Sequence, residues 1–100
     1  MAKIHKMDYL KMYKIEITQT ADKDLKKIKD EKTAIKIRIF LENKLPNVTN
    51  PKNLNNATKM KDAKDKYRWR IGDYRIIGIV KDNIPAIEII KIAHRKDAYK

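Results

Sequence analysis

Residues 67–71, Tyr-Arg-Trp-Arg-Ile, alternate a large apolar side chain with arginine, a period of two that fits a half-buried β-strand. Gly72-Asp73 follows, with glycine at the first central position as a type II′ turn requires, and then an isoleucine-rich run over residues 74–81. A two-residue turn sets the register: Ile71 faces Tyr74, Arg70 faces Arg75 and Trp69 faces Ile76. Arg68, two residues before Arg70, points to the same side. The guanidinium groups of Arg68, Arg70 and Arg75 therefore converge on one sheet face, while Tyr67, Trp69, Ile71 and Tyr74 turn to the other. Like charges opposite one another on strands cost roughly 0.2–1 kcal/mol. A fold that keeps this arrangement is expected to hold an anion there; otherwise the arginines are splayed into solvent or paired with Asp73 and Glu88.

The rest of the chain must supply a partner for the apolar side of that hairpin. Residues 13–19 alternate, with Tyr13, Ile15 and Ile17 on one face, and read as a first strand. Ala21, Leu25 and Ile28 form a helical stripe over residues 21–30, with Thr20 or Asp22 to cap it. After a break at Asp30-Glu31, Ile35, Ile39 and Phe40, flanked by Ile37 and Leu41, give a wide apolar face that Pro46 ends. A helical hairpin thus covers residues 21–45. Residues 46–66 lose all periodicity and read as a long asparagine-rich basic loop with Lys52, Lys59 and Lys61, pinned by Leu54 and Met60. Asp82-Asn83 reads as a second tight turn before a strand over 84–93. The predicted class is α+β: an N-terminal strand and a helical hairpin packed on an antiparallel sheet of about four strands, the first strand at its edge. Residues 1–11 lie outside this plan and read as a leader, whether mobile arm, interaction segment or upstream start; residues 12–100 read as a single domain.

Composition removes several function classes. A chain of 100 residues with 42% apolar content supports one core. It contains no run of the roughly 18 apolar residues that a membrane span needs and no apolar signal stretch, so a cytoplasmic location is expected. Zero cysteines remove disulfides and thiolate chemistry, and with His5 and His94 far apart no metal and no cofactor are expected. The formal charge of +12 favours a polyanionic partner, whether RNA, DNA or an acidic protein. Lysine supplies most of that charge; arginine occurs only at Arg38, Arg68, Arg70, Arg75 and Arg95, mostly in the last third of the chain. A planar fork grips phosphate at two points, so arginine is placed where that geometry matters.

The C-terminal residues 93–99, Ala-His-Arg-Lys-Asp-Ala-Tyr, add His94, Arg95 and Tyr99: a proton carrier, an oxyanion stabiliser and an aromatic ring able to stack on a base. Beside an arginine-lined sheet they make a candidate site for phosphodiester chemistry. The protein need not supply the nucleophile, because an RNA 2′-hydroxyl can attack its own adjacent phosphate when aligned in-line.

Tyr67-Arg-Trp-Arg-Ile-Gly-Asp-Tyr-Arg-Ile-Ile resembles the YRxRxGxYRII signature of the RelE/ParE superfamily of toxin–antitoxin toxins, and residues 93–99 resemble its xHRxxxY ending. Residues 20–28 are similar to the family's first helix, so the resemblance spans about residues 12–100. RelE-like members cut messenger RNA in the ribosomal A site, leaving a 2′,3′-cyclic phosphate and a 5′-hydroxyl; ParE-like members poison DNA gyrase. The resemblance implies a metal-independent endoribonuclease, with a gyrase inhibitor or a non-catalytic basic nucleic-acid-binding module as alternatives. It places Arg75 at the scissile phosphate, Arg95 near the leaving group and Tyr99 as the stacking ring, with Arg70 beside Arg75. Arg68, Lys52, Lys59 and Lys61 would bind RNA. Arg68 and Arg70 stand where some members carry lysines, one proposed as general base. Arginine holds its protons too tightly to be a good base. Either Glu88 or Glu42 then reaches the 2′-hydroxyl, or position and electrostatics carry the rate, with His94 a candidate general acid. The implied partners are messenger RNA, the ribosome and a cognate antitoxin whose acidic segment folds on binding.

Overall fold

The computed structural model describes residues 12–98. In chain order these form β1 (Lys14–Ile17), α1 (Gln19–Lys26), α2 (Glu31–Ile39), β2 (Ala57–Lys59), β3 (Lys66–Ile71), β4 (Tyr74–Lys81) and β5 (Ala86–His94). The sheet is five-stranded in the order β1-β5-β4-β3-β2, with β1 parallel to β5 and every other pairing antiparallel. The α+β class, the helical hairpin and the edge position of the first strand are as expected. The strand count is one higher than expected, because Ala57–Lys59 of the supposed loop pairs with Tyr67–Trp69. The second tight turn is also longer: Lys81 pairs with Ala86, leaving four residues, 82–85, in the connection, with Pro85 ahead of the strand.

Both helices cover the Trp69 face of the sheet. Ala21 and Leu25 of α1 and Ile37 of α2 join Phe40, Leu41 and Leu45 against Trp69, Ile76, Val80, Ile87, Ile89 and Ile92. Thr18, rather than Thr20 or Asp22, caps α1 by accepting the Ala21 N–H, and Asp30 caps α2 through the Lys32 N–H and the Thr33 hydroxyl. The inward stripe of α2 differs from the expected one. Ile37 lies two residues from both Ile35 and Ile39, about 200° round the helix, so the three cannot share a face. Ile37 is buried while Ile35 and Ile39 are 54% and 50% exposed. A π-helical turn, Phe40–Lys44, then carries Leu45 inward, its N–H donating to the Phe40 carbonyl, before a 3₁₀ turn at Leu45–Asn47 closes the segment.

Between β4 and β5 the pairing steps from Ile77↔Lys91 to Gly78↔Ile89, which leaves Ile90 as the extra residue of a bulge. Gly78 is what lets the strands approach there: a Cβ would stand 3.0 Å from the Glu88 carbonyl and 3.2 Å from methyls of Ile87 and Ile89. Gly78→Ala is therefore expected to destabilise the fold by about 1–3 kcal/mol, read from urea unfolding, with the bulge as the first region to lose amide protection. Where β1 ends, the free edge of β5 is taken over by α1, whose Asp24 carboxylate accepts the Ile92 N–H at 3.0 Å.

Distant loops meet at Asp82. Its carboxylate accepts the Tyr13 hydroxyl at 2.9 Å and the Lys52 ammonium at 2.5 Å. The Lys52 bond, then the Tyr13 bond, hold the Asp82 carboxyl below its ordinary 3.8. The bond to Asp82 raises Lys52, and burial followed by the same carboxylate raises Tyr13. The lowered Asp82 contributes stability above 3.8 that fades as acid is added; the raised Tyr13 and Lys52 contribute stability below about 10 that fades in base. Thermal melts across pH should show a plateau between those limits, and Asp82→Asn should make its acid side shallower, leaving the part that the lowered Asp30 and Asp62 carboxyls supply.

Candidate nucleic-acid interface

The hairpin forms as its turn chemistry requires. Gly72 has φ +57 and, among the described residues, no other amino acid has a positive φ, which fits a type II′ turn with glycine first. Arg70 pairs directly with Arg75, and Arg68 lies between Thr58 of β2 and Ile77 of β4, all on the face that the helices leave open. Arg68, Arg70 and Arg75 line one small polar pocket of about 140 Å³ with Asn55, Asn56 and Thr58. Asn56 builds its outer wall by bonding both backbone groups of Arg70: its carbonyl accepts the Arg70 N–H and its side-chain amide donates to the Arg70 carbonyl, each at 2.9 Å. The Nη1 of Arg75 donates to the Gly72 and Tyr74 carbonyls, both at 3.1 Å. That fixes the plane of the guanidinium and leaves its Nε and Nη2 hydrogens for a two-point contact with an anion. Among the described residues no acidic side chain pairs with Arg70 or Arg75, and Glu88 is committed elsewhere, to Lys81 at 3.7 Å.

A second cleft, of about 510 Å³, continues from this pocket along the same face and shares Thr58 and Arg68 with it. Its floor is apolar, from Met60, Ile77, Ile90 and Ala98, and its rim is basic, from Lys59, Lys61, Lys66 and Lys91. Asp62 offsets part of that charge through a 2.8 Å bond to Lys66, which holds its carboxyl below the ordinary carboxylate range. An anion pocket joined to an apolar-floored basic trough suits a nucleotide, phosphate in one and base over the other. A cleft of about 610 Å³ on the opposite side, between β1 and the π-helical turn that follows α2, has an apolar lining with Lys14 and Glu42 but no convergent cations.

The remaining expected site residues are distributed less simply. Arg95 sits at the hairpin tip, its N–H donating to the Asp73 carbonyl at 2.7 Å and its Nη1 lying 3.8 Å from the Asp73 carboxylate. His94 pairs with Tyr74 and so lies on the helix side, away from Arg70 and Arg75. Tyr99 lies outside the described residues, as does the leader, residues 1–11. Glu42 lines the cleft beside β1, and Glu88 sits at the end of β5 remote from Ala93, the partner of Arg75, so neither carboxylate is at the arginine pocket.

Of the lysines, Lys61 is exposed on the cleft rim. Lys59 also lines the cleft but donates to the Met60 and Ala63 carbonyls. Lys52 is held by Asp82, and its ammonium stands 5.9 Å from the Tyr67 ring, which Lys59 approaches at 5.7 Å. Asn55, Asn56 and Thr58 were not legible as site residues: their composition signals a turn, and only pairing with β3 brings them to the arginines. Among the described residues no His, Asp and Glu cluster could hold a metal ion, and no helix is long and apolar enough to cross a membrane.

A family model described as the ParE toxin of the type II toxin–antitoxin system, parDE, matches residues 15–99. The chain is 30% identical over 88 residues to the toxin RelE of Mycobacterium tuberculosis, covering 88% of this chain and 87% of that protein. The solved RelB–RelE antitoxin–toxin complex of Methanococcus jannaschii aligns with a TM-score of 0.67 at 28% identity, over 84% of this chain and 94% of that one. The RelBE2 complex of Mycobacterium tuberculosis shares the fold, with a TM-score of 0.67 at 21% identity over 83% and 98% of the two chains.

Proposed function

Since the chain belongs to the RelE/ParE superfamily and is a RelE-like toxin of the type II toxin–antitoxin class, we propose that it is an endoribonuclease that cuts messenger RNA in the ribosomal A site. The observation that carries this reading is the polar pocket in which Arg68, Arg70 and Arg75 converge on the open sheet face, continuous with an apolar-floored basic cleft. A gyrase inhibitor has no need of a phosphate-centred constellation.

In the proposed reaction the 2′-oxygen attacks the adjacent phosphorus and the bond from phosphorus to the 5′-oxygen breaks. The 2′-hydroxyl loses its proton, the leaving 5′-oxygen gains one, and the products are a 2′,3′-cyclic phosphate and a 5′-hydroxyl. Negative charge on the non-bridging oxygens grows toward the transition state. The free Nε and Nη2 hydrogens of Arg75, with Arg70 and Arg68 beside it, are placed to stabilise that charge. Arginine holds its own protons too tightly to act as base, and no carboxylate lines the pocket, so alignment and electrostatics carry the rate while protons exchange through solvent.

The test is to add the protein to a translation extract and map the message ends. New ends bearing 5′-hydroxyls support the reading; intact messages with inhibited DNA supercoiling would replace it by gyrase inhibition, the second reading, which the ParE description of the matching family model favours. Lys61, exposed on the cleft rim, contributes attraction rather than chemistry. Lys61→Ala should weaken RNA or ribosome association, reduce its salt dependence by about one counterion and leave the bound-state rate nearly unchanged.

The same reading supplies a partner. Relatives of this chain are solved as complexes with RelB antitoxins, and a formal charge of +12 calls for an antitoxin segment that is acidic, disordered when free and folded on binding. An apolar helix would lie over the sheet or the helical hairpin while acidic residues cover the arginines. Binding that failed to weaken at high salt would count against the charge-covering role.

A further inference from the structure

Two faces of the sheet are joined by the turn that follows β5. The His94 ring lies on the helix side, meeting the Tyr74 ring edge-on with centroids 5.4 Å apart and planes at 79°. Four residues later Ala98 is buried against the cleft of the open face. The crossing is held by hydrogen bonds at its start. His94 Nδ1 accepts the Lys96 N–H at 3.2 Å, and the His94 carbonyl accepts the Asp97 N–H at 2.8 Å. A side-chain acceptor bonded to the N–H two residues on is the geometry of an Asx turn, with imidazole in place of an asparagine amide. Arg95 stands inside this turn, its own N–H bonded to the carbonyl of Asp73, the neighbour of the Gly72 whose carbonyl orients Arg75.

We infer that His94 is a positioning residue: it latches the 94–98 crossing so that Arg95 is presented at the hairpin tip against Asp73, and it transfers no proton to the substrate. The inference rests on the endoribonuclease reading for its functional half only. The Lys96 bond occupies the Nδ1 lone pair, so that nitrogen is engaged with the backbone and is not open to a substrate. Asp24 of α1 and Lys27 that caps its C-terminal end, Tyr74 of β4, Lys91 of β5 and Asp97 of the turn line the cavity that His94 shares. From there a proton would have to pass through the sheet to reach a phosphate at Arg70 and Arg75. A general acid needs direct or one-water contact with the leaving oxygen.

Asparagine can rebuild the turn because its Oδ1 reaches the N–H two residues on; glutamine and alanine cannot. His94→Asn, His94→Gln and His94→Ala are compared in the full chain by amide hydrogen exchange at Lys96 and by single-turnover cleavage at saturating ribosome between about pH 6 and 8.5. The expected result is that the parent and His94→Asn protect the Lys96 amide, while Gln and Ala lose that protection. His94→Asn should cleave within about threefold of the parent with an unaltered pH profile, and Gln and Ala should lose about tenfold, the range of one hydrogen bond. The inference is overturned if His94→Asn keeps the Lys96 amide protected yet loses as much rate as alanine, or if Lys96 exchange is the same in all four proteins. A parent that cuts no RNA removes the endoribonuclease reading, and the exchange pattern still decides the latch.

Discussion

Arg75→Ala is expected to slow single-turnover cleavage of bound RNA by about 10²–10³, roughly 3–4 kcal/mol of transition-state stabilisation, while the folded protein survives. The side chain lies on the open face, where its loss leaves no cavity in the core that Trp69 and Ile76 form on the other side. What it removes is a guanidinium whose plane is set by two backbone carbonyls and which lines a pocket shared with Arg68 and Arg70. Arg75→Lys keeps the charge without the fork and should recover only part of the rate. Arg95→Ala should cost nearly as much as Arg75→Ala. A normal rate for Arg75→Ala together with a dead Lys61→Ala would move the chemistry from the sheet to the β2–β3 connection.

Trp69→Ala is expected to have the largest effect on stability, about 3–5 kcal/mol by urea denaturation followed by circular dichroism. Trp69 is fully buried at the centre of the core, and its indole N–H donates to the Pro51 carbonyl at 2.9 Å. Truncation opens a cavity beneath β3 and also strands that carbonyl. A domain of this size has a total stability of about 5–15 kcal/mol, so the variant should be substantially unfolded at warm temperature. Trp69→Phe separates the two losses: it keeps most of the volume and removes only the hydrogen bond, for about 1–3 kcal/mol. Equal costs for the two variants would mean that the Pro51 tether, rather than packing, dominates at this position.

The arginine hairpin was legible in the sequence because every constraint on it is local. Alternation assigns the faces, Gly72 supplies the positive φ that the turn needs, and a two-residue turn leaves a single register, so Arg70 opposite Arg75 follows before any tertiary contact is known. The helical hairpin was legible in outline for the same reason, since Pro46 and the apolar spacing act within a few residues. Tertiary pairing decided the rest. Ala57–Lys59 has no strand pattern of its own and becomes β2 because the exposed edge of β3 offers hydrogen bonds that Asn56 and its neighbours complete. Lys52 is drawn from the basic loop to Asp82, thirty residues away, by a charge that local sequence cannot see. His94, two residues beyond Ile92 on β5, falls on the helix side because the bulge at Ile90 resets the alternation along that strand and the pairing with Tyr74 fixes the face. Local periodicity determines which side chains of one hairpin travel together; whether distant residues join them depends on strand order, bulges and loop closure, which arise only when the whole chain packs.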